Sequence, residues 1–306
     1  MTLSGILQVI AACTFLAAFP ALVWGYIFYR KQPEDRRHTL LTFAIGGLAV
    51  FPILFYKWSW KYFPSINILE YARNFENDLI GISGFILIPL SVIITFAFVG
   101  VIEEIMKQSV VHAVDDNRIR HIDDSIMFSI LAALGFSFTE NILYFYTIWM
   151  GQGAEHLLIP FLFRSVFSTF AHILFSATFG YYYGLAHFAS PLLQKELTNS
   201  KWSFWDWYNK VVKFRTVELF HEKMMFTGLF YAVVLHAAYN IFLEMNWTFL
   251  MVPYLVVGYL YVSHLMKKKE NHQQLDLLLQ GERNNKCAPG KIACTLRKLV
   301  PKSAEA

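Results

Sequence analysis

Two adjacent glutamates, Glu103 and Glu104, stand inside a long apolar run, FVGVIEEIMKQSVV, with Lys107 one helical turn on. Three later apolar runs carry polar groups of similar kind. GFSFTEN holds Phe136, Glu140 and Asn141, RSVFSTFAHILFSATFG holds Arg164, His172 and Gly180, and VVLHAAYNIF holds His236 and Asn240. Carboxylates and imidazoles are the groups that move protons in hydrolysis, and two His with a Glu also form a known zinc ligand set. A carboxylate taken out of water is a better proton acceptor, so a glutamate in apolar surroundings is a candidate general base near neutral pH. On a helix, Lys107 can reach either glutamate, because residues three and four apart share a face. Glu103 and Glu104 themselves point about 100° apart and cannot do the same job. His236 and Asn240 share a face, as do Phe136 and Glu140.

These residues need elements to hold them. The 306-residue chain is 56% hydrophobic and 16% charged, with a mean hydropathy of +0.41. A soluble domain is nearer a quarter charged, so the composition points to a membrane protein. The expected fold is an all-α, polytopic transmembrane helix bundle. A span needs about 20 apolar residues, and seven segments qualify, near 4–29, 39–56, 86–113, 125–149, 157–187, 223–245 and 247–266. Residues 79–88 are an eighth short span or an interfacial piece, with Pro89 as the break. Residues 1–270 form the membrane domain and 271–306 a poorly ordered tail, while 202–221 reads as an amphipathic helix on the inner surface. Cys287 and Cys294 in that tail match no common zinc spacing.

The net charge of +4 lies mostly in loops, which reads as topology information and excludes a nucleic-acid footprint. Arg30, Lys31, Arg36, Arg37, Arg118, Arg120, Lys267, Lys268 and Lys269, with the basic residues of 195–223, fall in alternate loops. The positive-inside rule then gives a multi-pass protein of the cell (inner) membrane, N-terminus outside and C-terminus cytoplasmic. With that topology the polar groups of four helices lie roughly 15–25 Å from the inner helix ends. Charges at such depth cost roughly 2.5–3.5 kcal/mol each on insertion scales, and convergence on one site is the economical reason to keep them. Each group alone has a plainer reading: a histidine or Asn240 as interhelical glue, Glu104–Lys107 as a local ion pair, Arg164 as a snorkelling cation. It is the repeat of one placement on four helices that weakens those readings jointly.

In order and spacing, the four motifs resemble the PrsW family of intramembrane proteases, within the wider group of CAAX-processing and bacteriocin-immunity-type membrane proteases. The family pattern is matched by Glu103, Glu104 and Lys107 in EEIMK, by Phe136, Glu140 and Asn141 in FSFTEN, by His172 with Gly180, and by His236 with Asn240. The CAAX-type branch has Arg in place of Lys107 and His in place of Glu140, so the departures favour the PrsW branch. The resemblance covers about residues 86–245 and implies a catalytic core there, acting on membrane-protein or lipid-embedded peptide substrates in the bilayer. It implies Glu103 or Glu104 as general base on water with His172 assisting, His236 and Asn240 as oxyanion stabilisers, and Glu140 orienting His172 or serving as acid. Glu103 is preferred as the base, because Glu104 and Lys107 make a good i, i+3 pair. The cofactor stays open. The residues admit a zinc version, but no pair has the His-Glu-x-x-His spacing of helical zinc proteases, so a metal-free, glutamic-type reading is favoured. Two rivals use the same groups: a proton-coupled transporter, against which no inverted repeat is seen, and a non-catalytic membrane binding protein.

Overall fold

The computed structural model describes residues 2–29, 36–82, 86–188 and 217–284. The elements in chain order are α1 (Leu3–Tyr29), α2 (Arg36–Leu48), α3 (Phe51–Ser59), α4 (Ile68–Arg73), β1 (Leu79–Ile82), β2 (Ile86–Pro89), α5 (Leu90–Val110), α6 (Ile122–Gln152), α7 (Leu158–Phe163), α8 (Thr169–His187), α9 (Val217–Glu244) and α10 (Met251–Asn284). Short 3-10 turns and two π-helical turns, Val111–Asp115 and Arg164–Ser168, join them.

Among the described residues, six stretches are long and apolar enough to cross a membrane: Leu3–Ile27, Arg36–Ser59, Ile122–Gln152, Ala154–His187, Glu218–Glu244 and Thr248–Lys268. α5 is a seventh helix of 21 residues, close to the length a span requires, but Glu103, Glu104 and Lys107 lower its hydropathy. The chain is thus an all-α, multi-pass helical membrane protein. Large apolar side chains such as Phe15 and Phe19 of α1, Phe226 and Phe230 of α9 and Val257 of α10 face outward. That is where lipid replaces water as solvent.

Residues 79–88 are no eighth span. Leu79–Ile82 and Ile86–Pro89 are antiparallel strands in which Leu79 pairs with Pro89 and Ile82 with Ile86. The hairpin hands over directly to α5, whose first residue, Leu90, donates its N–H to the Asp78 carbonyl at 2.7 Å. The second span is broken at Ala49 and Val50, and restarts as α3 with Pro52 in its first turn. Of the amphipathic segment expected over 202–221, residues 217–221 are the first turns of α9 and the rest lies outside the described residues. α10 runs on past residue 270 to Asn284; Cys287 and Cys294 lie outside the described residues.

α6 is the axis of the bundle, buried over most of its inner half. It starts on a reciprocal cap: Asp124 accepts the backbone N–H of His121 at 3.1 Å and of Arg120 at 2.9 Å. Its Ile122, Ile126, Ile130 and Leu134 recur every fourth residue and pack with Ile173, Ala177, Tyr181 and Leu185 of α8. Gly180 lets the two helices touch. A Cβ there would lie 2.7 Å from the Ile126 Cα, and Ser125 Oγ donates to the Gly180 carbonyl at 2.8 Å. α9 lies along α8 and α5, and α1 and α2 cover the far side of α6.

Candidate active site

Four long helices and one π turn bring the polar residues together. α5 supplies Glu103, Glu104 and Lys107, α6 supplies Phe136, Glu140 and Asn141, α8 supplies His172, α9 supplies His236 and Asn240, and the π turn before α8 supplies Arg164. α5 and α9 can approach because Gly100 faces the α9 backbone, where a Cβ would stand 3.3 Å from the Val233 carbonyl oxygen.

The centre is dry. Glu104 and Lys107 are both 0% exposed and form an ion pair at 2.5 Å. Glu104 Oε1 also accepts from His236 Nδ1 at 2.8 Å. Lys107 Nζ lies 3.2 Å from His172 Nδ1 and 4.9 Å from the centre of the Phe136 ring. A lysine ammonium only donates, so His172 Nδ1 is the acceptor and the ring proton sits on Nε2. That Nε2–H donates to Glu140 Oε2 at 3.0 Å. Arg164 Nη2 meets the same carboxylate oxygen at 2.9 Å, while Arg164 Nε donates to Asn141 Oδ1 at 2.6 Å. The guanidinium also stacks 4.4 Å above the ring centre of Tyr144. Arg164 is therefore turned inward and does not snorkel.

The Arg164 geometry depends on the π turn. Residues eight apart on a regular α-helix diverge by about 80°. One extra residue in the turn makes Arg164 and His172 behave as neighbours seven apart, about 20° from alignment, so both meet Glu140. Thr169 Oγ1 closes the wide turn by donating to the Arg164 carbonyl at 3.0 Å.

Glu103 is differently placed from its neighbour. Its side chain is 14% exposed, and its Oε2 lies 3.6 Å from His236 Nε2. That oxygen has no hydrogen-bond partner among the described residues. Because His236 Nδ1–H is given to Glu104, the neutral ring presents a lone pair at Nε2 towards Glu103. Asn240, one turn further along α9, is half-buried and on the same helix face as His236. The two imidazoles meet edge to face at 5.4 Å. Phe175, which sequence reasoning missed, stacks on His236 at 5.1 Å. Its spacing of three from His172 in α8 was the available signal. Gly180 is eight residues beyond His172 and packs α8 on α6, away from these groups.

The result is one chain of contacts, Glu103–His236–Glu104–Lys107–His172–Glu140–Arg164. It can hold a water at the Glu103 end and take up a proton there. Zinc accepts these donor types, but as arranged they do not fit it. Both ring nitrogens of His172 are engaged, one by an ammonium, and a second cation beside that ammonium would meet direct repulsion. Among the described residues no group of three or more His, Cys, Asp or Glu is placed to hold a metal ion.

The family model described as PrsW family intramembrane metalloprotease matches residues 34–266. A protein named Protease PrsW from Geobacillus kaustophilus (strain HTA426) is 28% identical over 170 residues, which cover 55% of this chain and 62% of that protein. Another Protease PrsW, from Shouchella clausii (strain KSM-K16), is 24% identical over 261 residues, covering 82% of this chain and 94% of that protein. The chain thus spans less than two thirds of the first relative's length and nearly all of the second's. No solved structure matches it. Since the family match runs from residue 34 to 266 and takes in all four polar helices, the chain belongs to the PrsW family of intramembrane proteases.

Proposed function

We propose that this protein hydrolyses peptide bonds of membrane-protein substrates at bilayer depth, with Glu103 as the general base and without a metal. One observation carries the reading: of two neighbouring glutamates, Glu104 is locked to Lys107, while Glu103 keeps an unpaired carboxylate oxygen facing His236 Nε2. A water bridging that 3.6 Å gap loses a proton to Glu103, and the hydroxide adds to the scissile carbonyl carbon. Asn240 flanks the position where the oxyanion develops, His236 Nε2 accepts a hydrogen bond from the attacking water, and the Lys107 ammonium contributes a fixed positive field from within the buried centre. Glu103 then returns its proton to the leaving amine. Glu140 and Arg164 hold His172, and His172 holds Lys107, so these three act as positioning residues.

The family description names a metalloprotease, and the ammonium of Lys107 is the reason no step here is routed through a metal. The catalytic core is assigned to residues 86–245. The chain is placed in the cell (inner) membrane, N-terminus outside and C-terminus cytoplasmic, on the alternation of its basic loops.

The test is cleavage of candidate single-span substrates by purified protein in lipid. Glu103→Gln keeps shape and hydrogen bonding but removes the base, and should lose turnover by roughly 10²–10⁴-fold, the usual worth of a positioned acid–base group. Activity should survive strong chelators, and elemental analysis should find no stoichiometric zinc. Full turnover in Glu103→Gln ends the assignment of the base. Chelator-sensitive turnover that zinc restores ends the metal-free reading.

A further inference from the structure

Three polar side chains that the candidate active site does not use meet between α5, α6 and α8: Gln108, Ser129 and Ser176. Ser129 and Ser176 are fully buried and Gln108 nearly so. Gln108 follows Lys107 on α5, and Ser176 stands one turn after His172 on α8. Ser129 Oγ reaches Gln108 Oε1 only at 3.5 Å, beyond the roughly 2.5–3.0 Å of an ordinary hydroxyl hydrogen bond. Among the described residues, Gln108 Nε2 and Ser176 Oγ have no hydrogen-bond partner. Nor does Ser176 bond to its own helix. Ser109, Thr147 and Thr178 turn back to the carbonyl four residues earlier, at 2.8, 2.8 and 2.9 Å, and Ser176 does not.

Helix geometry brings the two unmet groups together. Each step of four residues turns a helix by about 40°, so Ser176 points between His172 and Gly180. His172 meets Lys107 of α5, and Gly180 meets α6, where a Cβ would stand 2.8 Å from Ser129 Oγ. Ser176 therefore faces the seam of α5 and α6, where Gln108 meets Ser129. Further along α8, Tyr183 meets His112 of α5 at 3.1 Å and brackets this level from the other end. The chemistry of the three groups selects what joins them. The amide nitrogen donates, the amide oxygen accepts, and the hydroxyls do both. A cation would meet the amide N–H and the nearby Lys107 ammonium, and an anion would add an unpaired buried charge beside a lysine that Glu104 already neutralises. An apolar group would leave every donor unmet. Water donates and accepts, and it carries no charge.

We propose that Gln108, Ser129 and Ser176 form a binding site for one buried water, which accepts from Gln108 Nε2 and hydrogen-bonds to both hydroxyls. The water ties α5 to α6 and α8 next to Lys107. It thereby holds the rotation of α5 about its axis, which sets Glu103 and Glu104 in different surroundings. The inference rests on packing and stands whether or not Glu103 is the base.

Two measurements test it. An experimental structure of the wild-type protein in lipid, at a resolution that shows ordered water, should carry density about 2.7–3.2 Å from both Gln108 Nε2 and Ser176 Oγ. A direct Gln108–Ser176 hydrogen bond, or no density there, overturns the proposal. Thermal unfolding gives an independent reading. Without a water, Ser176→Ala removes a buried hydroxyl that bonds to nothing, and the unfolding temperature should rise or stay level. With one, Ser176→Ala and Gln108→Leu should each lower it. The double variant should then fall no further than the lower of the two singles, because both lose the same water. A level or raised unfolding temperature in Ser176→Ala, or an additive fall in the double variant, overturns the proposal. If Gln108→Leu does not fold, the density and the direction of the Ser176→Ala shift decide.

Discussion

Lys107 pairs with one of two glutamates that sequence alone leaves side by side. Its pairing with Glu104 was legible from the i, i+3 spacing, and the pair is seen at 2.5 Å. Its contact with His172 was not legible, because 65 residues separate them and only the packing of α5 and α8 against their shared neighbours α9 and α6 brings them within 3.2 Å. Removing one member of a fully buried pair leaves the other charged and alone, at a cost of about 3–5 kcal/mol. Lys107→Ala and Glu104→Gln should therefore lower the unfolding temperature more than Glu103→Gln does, while Glu103→Gln should lower turnover most. Thermal unfolding and cleavage rate, measured on the three variants side by side, check the split. Arg164 in its plainer reading is a snorkelling cation, and its inward turn onto Glu140 and Asn141 sets that reading aside. Arg164→Gln should reduce turnover by about tenfold or more while substrate binding changes little, because a positioning group acts on the reacting geometry. A rise in KM with kcat intact would argue against that role.

At the scale of elements, hydropathy located the long helices well and their interruptions poorly. The hairpin over 79–89 was absorbed into an apolar run, since a hydropathy sum does not distinguish a strand from a helix. The signal that marks it is the β-branched isoleucine on both sides of Ser83 and Gly84. The π turn at Arg164–Ser168 leaves no such trace in hydropathy; its consequence is that Arg164 and His172 of one helix both meet Glu140. Deleting one residue from that turn should restore a regular helix in which Arg164 and His172 stand seven apart, still about 20° from alignment, so turnover should stay near that of wild type while Arg164→Gln loses it. Gly180 behaves differently: it belongs to the family pattern and, four residues before Gly184, to a stripe of small residues that permits close helix contact, and it lies at the α6–α8 contact. Gly180→Leu should cost about 1–3 kcal/mol of stability by overpacking, read as a lower unfolding temperature at similar turnover per folded molecule.

Across the whole molecule, the alternation of basic loops and the depth of the polar groups belong together. Reporter fusions after residues 37, 120, 215 and 270 should register on the cytoplasmic side and those near 60, 152 and 246 outside. An inside signal at 152 would reverse α8 relative to α6 and break the meeting of His172 with Glu140. The overall bundle was legible because lipid demands long apolar helices. The internal contacts were not, because they depend on crossings such as Gly100 against α9 that no single segment encodes. The charges of α5 also bear on how the chain is made. Alone it carries three groups that cost roughly 2.5–3.5 kcal/mol each at mid-bilayer, and the imidazole that completes Glu104 arrives 132 residues later in synthesis. The nascent α5 must then wait at the insertion machinery, or sit loosely in the membrane, until α8 and α9 emerge to receive it. Chains truncated before residue 217 should leave α5 uninserted in a glycosylation-mapping assay, and extension through Glu244 should bring it in. The meeting of these polar groups, on this view, is also the last step of membrane integration.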